Sequence, residues 1–219
     1  MKRRRRLFGV FLIIAALITM QLPGSEASAA AAASDFVIDG VTLTKYNGSA
    51  QYVTVPSGVE IIAESAFSDN AKIVQVNFSD DVKKVEPFAF WGCDNLQRII
   101  LGKGITVIDD YAFANCKGLT AMTIPSGVTA IGVCSFMDCV NLASIYIPET
   151  VMGIHDSAFN GCYKLIIQSP TGSYASRYSA EFYEKQKEMQ EYEDILTGNE
   201  ILQPRLIGTS RMTKEQALS

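Results

Sequence analysis

Histidine and tryptophan occur once each in this 219-residue chain, and none of its five cysteines forms a C-x-x-C pair. With His155 as the single histidine, any Ser–His or Cys–His hydrolytic arrangement depends on one residue. The lack of paired cysteines or of a Cys/His cluster removes the common zinc ligand sets. Gly102-Lys103-Gly104 lacks the rest of a phosphate-binding loop. Long apolar runs are scarce too. The main one covers fourteen residues, 7–20, short of the roughly 20 that a bilayer-spanning helix needs.

That run lies between the basic residues 2–6 and the small-residue segment Ala27-Ser28-Ala29, the three-part layout of a secretory signal. Residues 1–29 are expected to be a signal peptide, the alternative being a retained N-terminal anchor. Once the signal is removed no permanent membrane span is expected. Its removal takes away five basic residues and Glu26, leaving 14 Lys+Arg against 22 Asp+Glu. So acidic a chain is a poor partner for nucleic acid, where affinity comes largely from neutralising phosphates.

What the chain does have is a period. Phe67, Phe90, Phe113, Phe136 and Phe159 follow one another at 23 residues without slippage. Val59, Val82, Ile105, Val128 and Val151 keep the same step, as do Ile73, Leu96, Leu119, Leu142 and Leu165. A small residue precedes each phenylalanine: Ala66, Ala89, Ala112, Ser135 and Ala158. A constant period of this length marks a solenoid, whose units bury their apolar faces only by stacking. Within a unit, Met122 and Ile124 alternate with Ala121 and Thr123 before Pro125-Ser126-Gly127 turns the chain, as in a short half-buried strand. Residues 128–131 read as a second extended piece, and 134–139 as a turn of helix or 3₁₀ structure.

The chain therefore divides into a linker and N-terminal hairpin cap over 30–50, a solenoid over 51–170, a C-terminal capping and charged helix over 171–196, and a loosely ordered tail over 197–219. Asp39-Gly40 supplies the hairpin turn. Ser173 is placed to cap the helix, along which Tyr178, Phe182, Met189, Tyr192 and Leu196 recur at 3–4 spacing. Its beginning is expected to close the last coil. Its charged continuation is left to extend into solvent, pair with another chain or lie on the solenoid.

The unit Ile-Pro-Ser-Gly-Val-Thr-Ala-Ile-Gly, followed by Phe136, Cys139, Leu142 and Ile145-Tyr146-Ile147-Pro148, resembles the BspA-like class of bacterial leucine-rich repeats. The entry hairpin and the exit segment Gly172-Ser173-Tyr174-Ala175 share the resemblance, which spans about residues 36–180. It implies a right-handed coil of short parallel β-strands with short helical turns. It further implies secretion or display at a bacterial surface, and adhesion or binding of a protein or glycan. It transfers no catalytic residue, cofactor or metal. A structural spacer of the cell envelope that acts through the C-terminal helix is the alternative function. The ends depart from the pattern: Asn70 stands in the cysteine column, and Gln168 and Pro170 replace apolar strand positions.

Cys93, Cys116, Cys139 and Cys162 share one column, read either as buried thiols or as paired bridges such as Cys93 to Cys116. Cys134 lies outside it and is the candidate exposed thiol. His155 falls in a variable surface column. The adjacent carboxylates Asp80-Asp81 and Asp109-Asp110 read as solvated turns. Binding must then use a surface. If Ile99 and Leu101 point inward, Arg98 and Ile100 point outward. The period then gathers Tyr52, Thr54, Gln75, Asn77, Ala121, Thr123, Ser144, Tyr146, Ile167 and Ser169 beside them. Tyr52, Gln75, Asn77, Arg98, Ile100, Thr123 and Tyr146 are the candidate partner-binding residues of this strand face, since tyrosine and arginine often dominate interfaces; plain solvent-facing strand positions are the other reading. Trp91, on a turn, is an isolated alternative anchor.

Overall fold

A computed structural model describes residues 31–197, with side chains through 192. The expected signal peptide and nearly all of the tail lie outside the described residues. After a 3₁₀ turn at Ala33–Asp35, strands β1 (Phe36–Asp39) and β2 (Thr42–Tyr46) form an antiparallel hairpin around Asp39-Gly40. Each coil then contributes a three-residue strand and a two-residue strand. The longer strands are β3 (Tyr52–Thr54), β5 (Gln75–Asn77), β7 (Arg98–Ile100), β9 (Ala121–Thr123), β11 (Ser144–Tyr146) and β13 (Ile166–Gln168). The shorter are β4 (Ile61–Ile62), β6 (Lys84–Val85), β8 (Val107–Ile108), β10 (Ala130–Ile131) and β12 (Gly153–Ile154), and helix α1 (Tyr174–Thr197) follows.

The two-residue strands stack in parallel into a sheet of order β1-β2-β4-β6-β8-β10-β12, so the hairpin extends the solenoid's own sheet. The three-residue strands line a second side. Alternation works as its sequence pattern predicts: Val53, Val76, Ile99, Met122 and Ile145 are buried between more exposed neighbours.

The third side is a turn built around the phenylalanine column. Consecutive rings stack with centroids 4.6, 5.3, 5.4 and 5.3 Å apart and interplanar angles of 9 to 18°. These separations are close to the spacing between hydrogen-bonded strands, so side-chain stack and backbone ladder share one rise. The N–H of every phenylalanine in the column but the last, Phe159, donates to the carbonyl of the small residue in the next coil, as from Phe90 to Ala112 and from Phe113 to Ser135. Two residues before each of the middle phenylalanines and two after, the backbone turns left-handed. The following column (Asp69, Gly92, Asn115, Asp138, Gly161) uses residues suited to that conformation. The preceding column includes Phe88 and Tyr111 at φ of 59° and 56°, costly for bulky side chains, and these two rings stack at 4.9 Å.

Both ends continue the aromatic column. Tyr46 stacks on Phe67 at 5.2 Å and Phe36 packs on Tyr46 at 5.1 Å. At the other end Tyr178 and Phe182 meet Phe159 edge-on at 6.2 and 6.1 Å. Ser173 Oγ accepts the Ser176 N–H at 3.1 Å, the expected N-cap. Ala175, Tyr178 and Phe182 are buried against the last coil, whereas α1 is exposed on all sides from Lys187 through Tyr192. Side chains also close the final edge. Ile167 N–H donates to Tyr183 Oη at 2.6 Å, Tyr178 Oη to the His155 carbonyl at 3.4 Å, and Gln186 Nε2 to the Cys162 carbonyl at 3.4 Å.

One expected register is corrected. Ser144 pairs with Ile166, Ile145 with Ile167 and Tyr146 with Gln168, a step one residue short of the period. Ile167 therefore points inward and is buried, and Ile166 and Gln168 take the outward places expected of Ile167 and Ser169. The polar Gln168 replaces no core residue.

Ser135 is the one buried polar residue in the small column, and its Oγ has no hydrogen-bond partner. Ser135→Ala should therefore raise the unfolding free energy by about 1 kcal/mol, because it removes an unsatisfied hydroxyl at constant packing. Phe113→Ala, in the middle of the stack, should lower it by about 3 to 5 kcal/mol. Urea denaturation of the full chain checks both.

Candidate partner-binding surface

The strand face places the candidate residues in two blocks. In the first, Tyr52, Gln75 and Arg98 stand side by side in register, as do Thr54, Asn77 and Ile100. Gln75 Nε2 donates to Asn77 Oδ1 at 2.9 Å, tying those two side chains to each other. In the second, Ala121 aligns with Ser144 and Ile166, and Thr123 with Tyr146 and Gln168.

Between the blocks the sheet is broken. The three-residue strands form two separate sheets, β3-β5-β7 and β9-β11-β13. At other joints Val55, Phe78, Ile124 and Ile147 donate to Asn77, Ile100, Tyr146 and Gln168 at 2.8 to 2.9 Å, and Gln97 and Ala143 donate to Val74 and Thr120 at 2.9 Å. The equivalent bonds across β7 and β9, Leu101 N–H to Thr123 and Thr120 N–H to Gln97, are not made. The coil before the break seats its turn on the preceding one. A Cβ at Gly102 would collide with the Ser79 carbonyl and one at Gly104 with the Asp80 carbonyl, so neither position admits a side chain. Lys103 N–H donates to Asp80 Oδ1 at 2.9 Å in the same contact.

A groove of about 800 Å³ lies over the break, and Arg98, Ile100, Thr123 and Tyr146 line it. Ile100 is 42% exposed and Tyr146 40%. Tyr52, Gln75 and Asn77 lie outside its lining. Lys103, Ser126, Pro148 and Gln168 join it without having been read as candidates. The signals for two of them were in the sequence: Gly-Lys-Gly replaces Pro-Ser-Gly at 102–104, and the shortened last unit turns Gln168 outward. A second depression, about 580 Å³, runs along α1 from Ala180 to Glu188 and is formed by that helix alone.

The remaining chemistry is used structurally. His155 is exposed, and its Nδ1 lies 2.8 Å from Ser157 Oγ and accepts the Ser157 N–H at 3.2 Å, a local turn contact. Asp110 Oδ1 accepts the Val133 N–H at 2.7 Å, and Asp109 Oδ1 accepts that of Asp110 at 3.0 Å. Asp81 Oδ2 accepts the Gly58 N–H at 3.0 Å. Cys134 is corrected from exposed to buried: it is 8% exposed, and its thiol donates to Ser157 Oγ at 3.3 Å. Each column cysteine is a free thiol that donates to the phenylalanine carbonyl of the preceding coil at 3.0 to 3.1 Å. Asn70 takes over that role in the first coil, donating to the Gly48 carbonyl at 3.4 Å. Trp91 is partly exposed on its turn. Among the described residues, no group of three or more metal-ligating side chains converges, and no helix is long and apolar enough to cross a membrane.

The BspA type leucine rich repeat pattern matches residues 44–166 in six copies, and the chain belongs to that family. A leucine rich cell surface protein of Faecalibacterium prausnitzii is similar in structure, with a TM-score of 0.60 and 32% identity over 63% of this chain and 37% of that one. The T. pallidum leucine rich repeat protein gives 0.61 and 28% identity over 64% of this chain and 71% of its own. A leucine-rich repeat protein of Bacteroides ovatus gives 0.51 and 26% over 62% and 41%. The chain thus spans well under half the length of the F. prausnitzii protein. No functionally curated protein matches its sequence.

Burial pushes the Cys93 thiol up from 9.0 to about 12, and burial raises Cys116 as well. The folded chain then keeps a proton that the unfolded chain releases, so the stability that Cys93 contributes is complete below about pH 9 and is lost as pH rises toward 12. The cost of Cys93→Ala, measured by urea denaturation of the full chain, should accordingly shrink between about pH 8 and about pH 11.

Proposed function

We propose that the chain is a secreted or surface-exposed, non-catalytic recognition module that binds a protein through its strand face. The single observation that carries this reading is the groove at the break between β7 and β9, where Arg98, Ile100, Thr123 and Tyr146 come together. Elsewhere the apolar columns are consumed by the core. Large side chains on an otherwise small-residue strand face fit an interface better than a solvated sheet. Residues 1–29 act in this reading as the export signal, which is supported by the chain's similarity to a leucine rich cell surface protein.

A second reading rests on a separate observation. Met189 is 61% exposed and Tyr192 39% on the part of α1 that clears the last coil. This part of the helix suits assembly with another envelope component, and the solenoid would then be a spacer.

Pull-down of extracellular matrix and surface proteins by the full chain separates the two. Changing Arg98, Ile100 and Tyr146 together to alanine should abolish capture at an unchanged melting temperature. Removal of residues 187–219, which leaves the capping half of α1 in place, should not. The reverse pattern would assign binding to the helix.

A further inference from the structure

Resting on that strand-face reading, we propose that the groove selects a peptide in which Asp or Glu lies close to apolar or aromatic side chains. Two features of the groove converge on this partner. The first is charge. Arg98 and Lys103 line the groove and no acidic side chain does, although the chain carries more Asp+Glu than Lys+Arg. The acids that form ion pairs do so elsewhere, among them Glu60 with Lys83 at 2.7 Å, Asp94 with Lys117 at 3.2 Å and Asp156 with Lys185 at 3.4 Å. Among the described residues, neither Arg98 nor Lys103 takes part in an ion pair. Two cations without partners in a partly enclosed, acid-free groove favour a carboxylate, which arginine holds through two parallel hydrogen bonds.

The second feature is apolar. Ile100 and Tyr146 stand to either side of the break. Arg98, Ile100 and Tyr146 all face outward on the same side, so the groove offers a cation and apolar groups to one ligand together.

Fluorescence anisotropy with the full chain tests this, using a labelled peptide that alternates Asp with Leu and Tyr, and the same peptide with Asn for Asp. The Asp peptide should bind at least about tenfold more tightly than the Asn peptide, and added salt should weaken it. Arg98→Gln should remove that advantage and leave the Asn peptide unaffected. Ile100→Ala with Tyr146→Ala should weaken both peptides. Equal affinity for the two peptides, or indifference to Arg98→Gln, overturns the acidic preference; the strand-face reading survives if the Ile100 and Tyr146 changes still matter. If those changes alter neither peptide, or neither peptide binds, both are overturned. Tighter binding of oligogalacturonate, lost on Arg98→Gln, would assign the groove to an anionic glycan and overturn the peptide.

Discussion

The ring-on-ring contact that runs from Phe36 to Phe182 sets the distance from one coil to the next, and the rest of the structure follows that distance. A rise close to strand spacing lets short strands of only two or three residues pair with both neighbours. It also brings each cysteine thiol within reach of a carbonyl one coil away. The small column before the phenylalanines keeps its side chains out of this contact, so that ring and backbone can stack together. A single coil would bury none of this, and stability therefore comes from neighbours.

Much of this was legible in the sequence because a solenoid repeats its burial pattern along the chain. The hairpin at Asp39-Gly40, the inward and outward sides of β7, the turn after Ile124 and the cap at Ser173 all follow from residue type and position. The slip after Leu165 was not, because the conserved step from Cys139 to Cys162 and from Leu142 to Leu165 hides a residue lost just beyond it. Cys134 was misread for a related reason. Its register-mates are partly exposed, and its burial depends on a hydroxyl contributed by the next coil, Ser157.

The candidate surface was half legible. Period and alternation gave the correct side for Arg98, Ile100, Thr123 and Tyr146, but a period treats every joint alike. The break between β7 and β9 is a departure from sameness, and no column of residue types records a missing hydrogen bond. Only the substitution of Gly-Lys-Gly for Pro-Ser-Gly pointed toward that coil, and it first read as an incomplete phosphate loop. The core repeats and tolerates little change; the groove lies where the repetition fails.

The two ends are finished by different means, and this bears on how such a chain changes length. The hairpin joins the first coil through backbone pairing, and α1 closes the last through the side chains of Tyr178, Tyr183 and Gln186. Among the described residues, the hairpin pairs with the first coil and α1 packs on the last. Duplication or loss of a whole unit of the gene for the middle coils would leave both closures intact and shift only the number of coils between them. The broken joint would keep its local chemistry but move along the axis in fixed steps, so descendants could present the same groove at different distances from the two closures.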